Sequence, residues 1–262
     1  MSDERWPTAI TDVSAGSIKL RGYPIEELMG RVSFSDAIHL AFAGELPSPA
    51  ASAGLAAVLV ASVDHSGGSP SALTARTVAS AGAPIGTAAA AGLLAISRFH
   101  GAVIEDCMHA FARVGGLRAA GEDLDGAAAR VVAGRRAEGG RIGGFGHRMH
   151  DVDPRPERLF AICREHGLDM HGNDEVARAL EHALGAATGR PVPLNLDGAI
   201  AVVFAAIGYP PEIANPLFTI GRFVGLNAQA WEETTRMRPM RAIHPRGYDY
   251  DGPGERHLDG AA

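Results

Sequence analysis

The sequence predicts an all-α protein. Three observations predict it. Helix start and stop signals recur along nearly the whole chain, apolar residues fall in runs of helical length, and the strict alternation of a half-buried strand is scarce. At 262 residues, 46% hydrophobic and 21% charged, the chain suffices for one large domain or two smaller ones around a real core.

The elements follow in order. Residues 9–21 read as extended, and 141–145 as a weaker extended candidate. Ser33-Phe34-Ser35-Asp36 has capping-box spacing: the Ser33 hydroxyl can accept from the Asp36 amide while the Asp36 carboxylate reaches back. A helix over 37–43 follows, stopped by Gly44 and Pro47. Further helices are expected at 49–63, 71–80, 84–98, 102–114, 124–137, 156–165, 174–187, 198–206 and 212–235. Pro210-Pro211 separates the last two. Gly115-Gly116, Gly139-Gly140 and the Gly143–Gly146 run read as hinges or points of close approach flanking the middle third. The runs 55–63 and 85–96 read as buried helices packed through small residues, and they are too short to span a bilayer.

Composition excludes several function classes. A net charge of −6 is the wrong sign for a general nucleic-acid binder. Cys107 and Cys163 have no sequence neighbours that would make a disulfide framework or a zinc site. Residues 1–7 lack the apolar stretch of a signal peptide, so a reduced, cytoplasmic protein is expected. Lys19 is the only lysine among 24 basic residues, so any anion site here is built from guanidinium groups, which grip carboxylates in a bidentate fork.

Three features carry candidate chemistry. They are His100-Gly101 at a helix junction, Gly146-His147-Arg148 followed by Asp153-Pro154-Arg155, and Leu194-Asn195-Leu196-Asp197-Gly198, an acid before an apolar helix. Each alone is weak: a histidine at a helix end is usually a surface or capping group, and a lone Asp197 would most often be an N-cap.

Together they resemble the citrate synthase family. His147 within Gly-Phe-Gly-His-Arg, followed by Asp-Pro-Arg, is similar to that family's central signature, His100-Gly101 to its earlier histidine motif, and Asp197 to its catalytic aspartate. The Arg21–Leu28 segment resembles its RGYPIEEL stretch and Gly44–Pro47 its GELP turn. The resemblance covers about residues 14–241. It implies a compact, two-domain, citrate synthase-like helical fold, with a large domain from 1–100 and 208–262 and a small domain from 101–207. It also implies a dimer or higher homo-oligomer.

The implied chemistry is carbon–carbon bond making or breaking beside a CoA thioester. An acetyl thioester has a weakly acidic methyl, so a carboxylate must meet the proton where the enolate is stabilised. The resemblance gives Asp197 as that base. It gives His100 as donor to the thioester oxygen and His147 as proton carrier at the second substrate's oxygen. Arg148, Arg155 and Arg222 would clamp a dicarboxylate, and Arg238 resembles an arginine supplied across the dimer. No tightly bound cofactor or metal is implied; coenzyme A enters as part of the substrate. The partners are CoA thioesters and di- or tricarboxylates, with neither nucleic acid nor membrane.

Within the family, the short chain and the Leu-Asn-Leu-Asp-Gly site look more like citryl-CoA lyase and the C-terminal lyase module of ATP-citrate lyase. Cleavage of citryl-CoA to acetyl-CoA and oxaloacetate is therefore expected. The alternatives are citrate or 2-methylcitrate synthesis, a non-catalytic binding subunit, and a plain helical interaction module. Gly198 is expected to leave space beside Asp197.

Overall fold

The computed structural model describes residues 6–147, 152–241 and 249–256. It is all-helical apart from one small antiparallel sheet. β1 (Thr11–Ser14), β2 (Ser17–Leu20) and β3 (Tyr23–Pro24) pair in order, Val13 facing Ile18 and Leu20 facing Tyr23. Eleven α-helices follow among the described residues: α1 (Ile25–Leu28), α2 (Phe34–Ala43), α3 (Pro49–Ser62), α4 (Pro70–Ser80), α5 (Ile85–Leu94), α6 (Ile104–Ala119), α7 (Leu124–Ala137), α8 (Arg155–Glu165), α9 (Asn173–Thr188), α10 (Leu196–Ile207) and α11 (Ala214–Arg236).

Local chemistry sets most boundaries. Both halves of the capping box form at α2: Asp36 N donates to Ser33 Oγ at 3.1 Å and Ser33 N to Asp36 Oδ2 at 3.0 Å. Gly44 ends that helix in the left-handed region, where a side chain would be strained. Ser48 and Ser69 cap α3 and α4, each with proline in the first turn.

Three expectations need correction. Gly115-Gly116 is not a connection but lies inside α6, which runs five residues past the expected end. Nothing lies within 4 Å of where a Cβ would sit at either glycine, so the cost is only the ~1 kcal/mol of mid-helix glycine, and the buried Ile104, Cys107, Phe111 and Val114 face carries the helix. Residues 141–145 make no strand; only Phe145 bridges to Leu194. α5 stops at Leu94, because Ser97 N and His100 N exchange bonds with each other's carbonyls at 2.9 and 2.7 Å in a tight turn.

α10 is the centre of the molecule. Its residues from Leu196 to Phe204, Asp197 excepted, are buried, and α3, α6, α8 and α9 surround it. One apolar cluster runs from Ile38 through Phe111, Leu180 and Phe204 to Phe218. α11 crosses α3 backbone to backbone. A Cβ at Gly225 would overlap the Val63 carbonyl and one at Gly221 would meet the Leu59 carbonyl at 2.9 Å, so only glycine allows the crossing. Cys107 and Cys163 are buried and free. No helix among the described residues is long and apolar enough to cross a membrane.

Candidate active site

The N-terminus of α10 organises one wall of a cleft of about 410 Å³. Asn195, not Asp197, is its N-cap: Asn195 Oδ1 accepts from Asp197 N at 2.9 Å and Gly198 N at 3.3 Å. The same side chain donates Nδ2 to the Gly146 carbonyl at 2.8 Å, and Asn195 N donates to the Gly144 carbonyl at 3.0 Å. One residue thus ends the loop before His147 and starts the helix that bears Asp197.

This contact overturns the expected space at Gly198. A Cβ there would lie 2.4 Å from the Gly144 carbonyl oxygen and 2.4 Å from Leu194 Cδ1. The missing side chain is filled by the loop backbone, so the glycine serves close approach. Gly144 matches it with a φ of +88° that glycine adopts freely.

Two carboxylates stand at this wall in opposite electrostatic settings. Asp153 is buried, which by itself pushes its pKa up, yet Arg155 outweighs burial and holds it below the usual carboxylate range. Arg155 donates Nε at 2.9 Å, Nη2 at 2.7 Å and its backbone N at 3.0 Å to Asp153, which also accepts from Leu196 N at 3.1 Å. Asp197 has no such fork. Burial raises its pKa, and the positive charges of Arg222 and Arg155 only partly offset that. Asp153 is a strut; Asp197 is a carboxylate ready to exchange a proton.

The opposite wall is built by α4, α11 and the loops before α4 and α6. Ser71 N donates to His100 Nε2 at 3.3 Å, and Ser71 Oγ lies 2.8 Å from the same nitrogen. A backbone amide can only donate, so Nε2 accepts and the proton of the neutral ring sits on Nδ1. Arg222 is only 4% exposed. Its Nε donates to the Ser62 carbonyl at 2.8 Å and its guanidinium stacks 5.0 Å from the Phe218 ring centroid. The α3–α11 crossing at Gly221 and Gly225 is what brings it there.

His100, His147, Asp197, Arg155 and Arg222, drawn from four separate stretches of sequence, all line this one cleft. Arg148 lies outside the described residues. Arg238 is exposed beyond α11 and does not line this cleft. Among the described residues no group of His, Cys, Asp and Glu is arranged to hold a metal.

Sequence reasoning missed His65. It belongs to none of the motifs singled out above, yet it lines the cleft with its ring 5.2 Å, edge to face, from that of His147. Burial, then Arg155 and Arg222, push its pKa down to about 4, so it is neutral near pH 7. The available signal was a histidine in the short loop four residues before the Ser69-Pro70 helix start.

Comparison with known proteins agrees with this geometry. Residues 48–246 match the family model described as citrate synthase, C-terminal domain. The chain is 29% identical over 191 residues to the glyoxysomal citrate synthase of Cucurbita maxima, covering 70% of this chain and 35% of that protein. It is 26% identical over 219 residues to the citrate synthase of Mycolicibacterium smegmatis, covering 82% and 54%. It thus spans about a third to a half of these curated relatives. Among solved structures, citryl-CoA lyase from Hydrogenobacter thermophilus superposes with a TM-score of 0.84 at 33% identity, covering 97% of this chain and 98% of that one. An ATP citrate lyase from Methanosaeta concilii shares the fold with a TM-score of 0.79 at 23% identity. A family match over most of the chain, on a helical fold that gathers His100, His147 and Asp197 into one cleft, makes this chain a member of the citrate synthase family.

Proposed function

We propose that the chain cleaves citryl-CoA to acetyl-CoA and oxaloacetate. The observation that carries this reading is Asp197, a half-buried residue whose enclosed carboxyl group has a raised pKa, in the same cleft as His100, His147, Arg155 and Arg222. The likeness to a citryl-CoA lyase, a TM-score of 0.84 at 33% identity, supports cleavage over synthesis.

In the cleavage direction His147 takes the proton of the citryl hydroxyl. The electron pair becomes the ketone of oxaloacetate as the carbon–carbon bond breaks, and the bonding pair moves into the thioester as an enolate. Nδ1–H of His100 donates to the thioester oxygen as it gains charge. Protonated Asp197 delivers its proton to the enolate carbon, giving the acetyl methyl. The raised pKa of Asp197 keeps that acid form accessible. Arg222 and the Nη1 side of Arg155, which Asp153 does not use, take the dicarboxylate, with Arg148 beside His147. His65, neutral and facing the same space, is a further donor to a carboxylate.

The domain split at about 100 and 207 is part of this reading. Closure of the middle segment over substrate keeps water from the thioester, which a lyase must protect. A second copy of the chain completes it. α4 and α5 carry no charge except the buried Arg76 and expose apolar groups such as Leu94, a surface on which two copies of net charge −6 meet without repulsion. Coenzyme A arrives and leaves with the substrate, and the buried thiols suit the reducing cytoplasm.

The competing reading is synthesis, in which the enzyme also hydrolyses the citryl thioester. Mixing acetyl-CoA, oxaloacetate and enzyme decides between them. Rapid, stoichiometric release of CoA thiol overturns the lyase reading; citryl-CoA consumed to acetyl-CoA and oxaloacetate without free citrate supports it. Neither reaction in the wild type leaves a binding subunit.

A further inference from the structure

The loop before α4, residues 64–69, brings His65 and Ser66 to the cleft, and it is held from outside the cleft. Ser66 adopts a φ of +83°, an uncommon conformation for a residue with a side chain. Such a conformation persists where surrounding contacts over-determine it. Those contacts are side chains of α11. Gln229 Nε2 donates to Asp64 Oδ2 at 3.1 Å, and Asp64 Oδ2 in turn accepts from Ser66 N at 3.3 Å. Gln229 Oε1 accepts from Arg76 Nη1 at 2.5 Å, and the pair lies beside Gly67: a Cβ there would be 3.2 Å from Gln229 Oε1.

The chain of contacts continues away from the cleft. Arg76 Nε pairs with Glu233 Oε2 at 2.8 Å; Glu233 is only 1% exposed. The other partner of Glu233 is Arg241, which approaches both carboxylate oxygens, its Nη2 donating to Oε2 at 2.5 Å. Met240 N donates to the Ser80 carbonyl at 3.0 Å, so the backbone just after α11 is docked on α4. A continuous polar relay therefore runs Arg241–Glu233–Arg76–Gln229–Asp64 and ends on the amide of Ser66. None of its members except the loop itself lines the cleft.

We infer that Gln229 and Arg76 are positioning residues for the His65 loop, and that Arg241 couples the docking of the C-terminal segment to the same loop. The consequence for dicarboxylate binding rests on the function proposed above; the relay itself does not. The relay acts on where His65 sits and so on ground-state binding of the dicarboxylate. The groups assigned to proton transfer lie elsewhere, so turnover at saturation is spared.

The test uses the full chain carrying Gln229→Ala, Gln229→Glu or Arg241→Ala, with Asn227→Ala, whose amide bonds only to its own helix, as control. Amide hydrogen exchange of Ser66, Gly68 and Ser69 is the first readout and requires no ligand. Gln229→Ala is expected to accelerate it about fivefold or more, the loss of one ordinary hydrogen bond. Gln229→Glu keeps the acceptor for Arg76 but sets a carboxylate against Asp64, and is expected to accelerate it at least as much. Arg241→Ala is expected to do so by a smaller factor, and the control not at all. The second readout is the oxaloacetate dissociation constant, expected to rise about fivefold in Gln229→Ala while kcat for citryl-CoA cleavage stays within about a factor of two.

Unchanged exchange in both Gln229 variants overturns the relay. Acceleration in those but not in Arg241→Ala overturns the coupling of the C-terminal segment. Acceleration with unaltered oxaloacetate affinity overturns the positioning role. A wild type that binds no oxaloacetate refutes the proposed function, while the exchange data still decide the relay.

Discussion

The two walls of the cleft are built by different means. The wall of α8 and α10 is closed mainly on backbone groups. The Gly144 carbonyl meets Gly198, Asn195 stitches the loop to the helix start, and Asp153 locks Leu196 N to Arg155. The wall of α4 and α11 is closed by long side chains: Arg222 on Ser62, Gln229 on Asp64, Arg76 on Glu233. Backbone contact leaves little room for adjustment, which in the proposed reaction suits a carboxylate that meets one carbon atom. Side-chain contact can yield and re-form, which in the same proposal suits a wall that admits and releases a dicarboxylate. The same contrast separates the two aspartates. Asp153 spends its charge on the scaffold and is held low in pKa; Asp197 is left with burial and is pushed up.

The sharpest way to break this comparison is at Asp197. Asp197→Asn is nearly isosteric and should stay folded, since the Asn195 cap is untouched. Its rate should fall at least ~100-fold, the usual loss for a general acid–base. A rate above about a tenth of wild type, with citryl-CoA as substrate, would remove Asp197 from the chemistry.

Next comes the backbone contact itself. Gly198→Ala forces a methyl against the Gly144 carbonyl and Leu194. Overpacking of that kind costs about 1–3 kcal/mol, and the displaced loop carries His147, so activity should drop further than stability alone explains. Thermal melting and steady-state rates together read it. A variant with wild-type Tm and rate would show that the wall is softer than its contacts imply.

The histidines sharpen the contrast between chemistry and binding. His100→Ala should lower kcat by ~100-fold with little effect on oxaloacetate affinity, because the proposed mechanism sets it at the thioester oxygen. His147→Ala should lower kcat similarly and also weaken oxaloacetate, measured calorimetrically. Equal affinities in the two variants would leave these separate roles without support.

The smallest expected effect is a pH dependence carried by His65. In the free protein its pKa is depressed to about 4, first by burial and then by Arg155 and Arg222. A bound dianion supplies the missing negative charge and raises that pKa, so binding takes up protons. Oxaloacetate affinity should therefore strengthen as pH falls from about 7 toward 5, and His65→Ala should flatten the slope. The same depression affects stability in the opposite sense. The unfolded chain binds this proton below its ordinary pKa of 6.5 while the folded chain does not until about 4. Stability from this group is thus complete above 6.5 and is lost as pH falls through that window. Calorimetry in buffers of different ionisation enthalpy reads the proton uptake directly; zero uptake near pH 6 would refute the His65 contact.

Much of this protein is determined by the sequence alone. Ser33, Asp36 and Gly44 set α2 because capping is local chemistry between residues three or four apart. The alanine-rich runs made helices, and the residues Leu124 to Ala137 formed α7 at the expected limits, since no distant contact competed. His100, His147, Asp197, Arg155 and Arg222 were legible from motif order. Tertiary structure alone decided the rest. Gly115-Gly116 stayed helical because the buried face from Ile104 to Val114 outweighed local propensity. Gly198 looked like empty space until the Gly144 backbone was seen to fill it. His65 had no motif partner, and its meaning comes from a ring and two guanidinium groups that approach it only when α8 and α11 fold against its loop. Capping, patterning and turn chemistry act across a few residues and are written in order along the chain. Close approach and electrostatic environment are properties of segments fifty to a hundred and fifty residues apart, and only the packed helices bring them together.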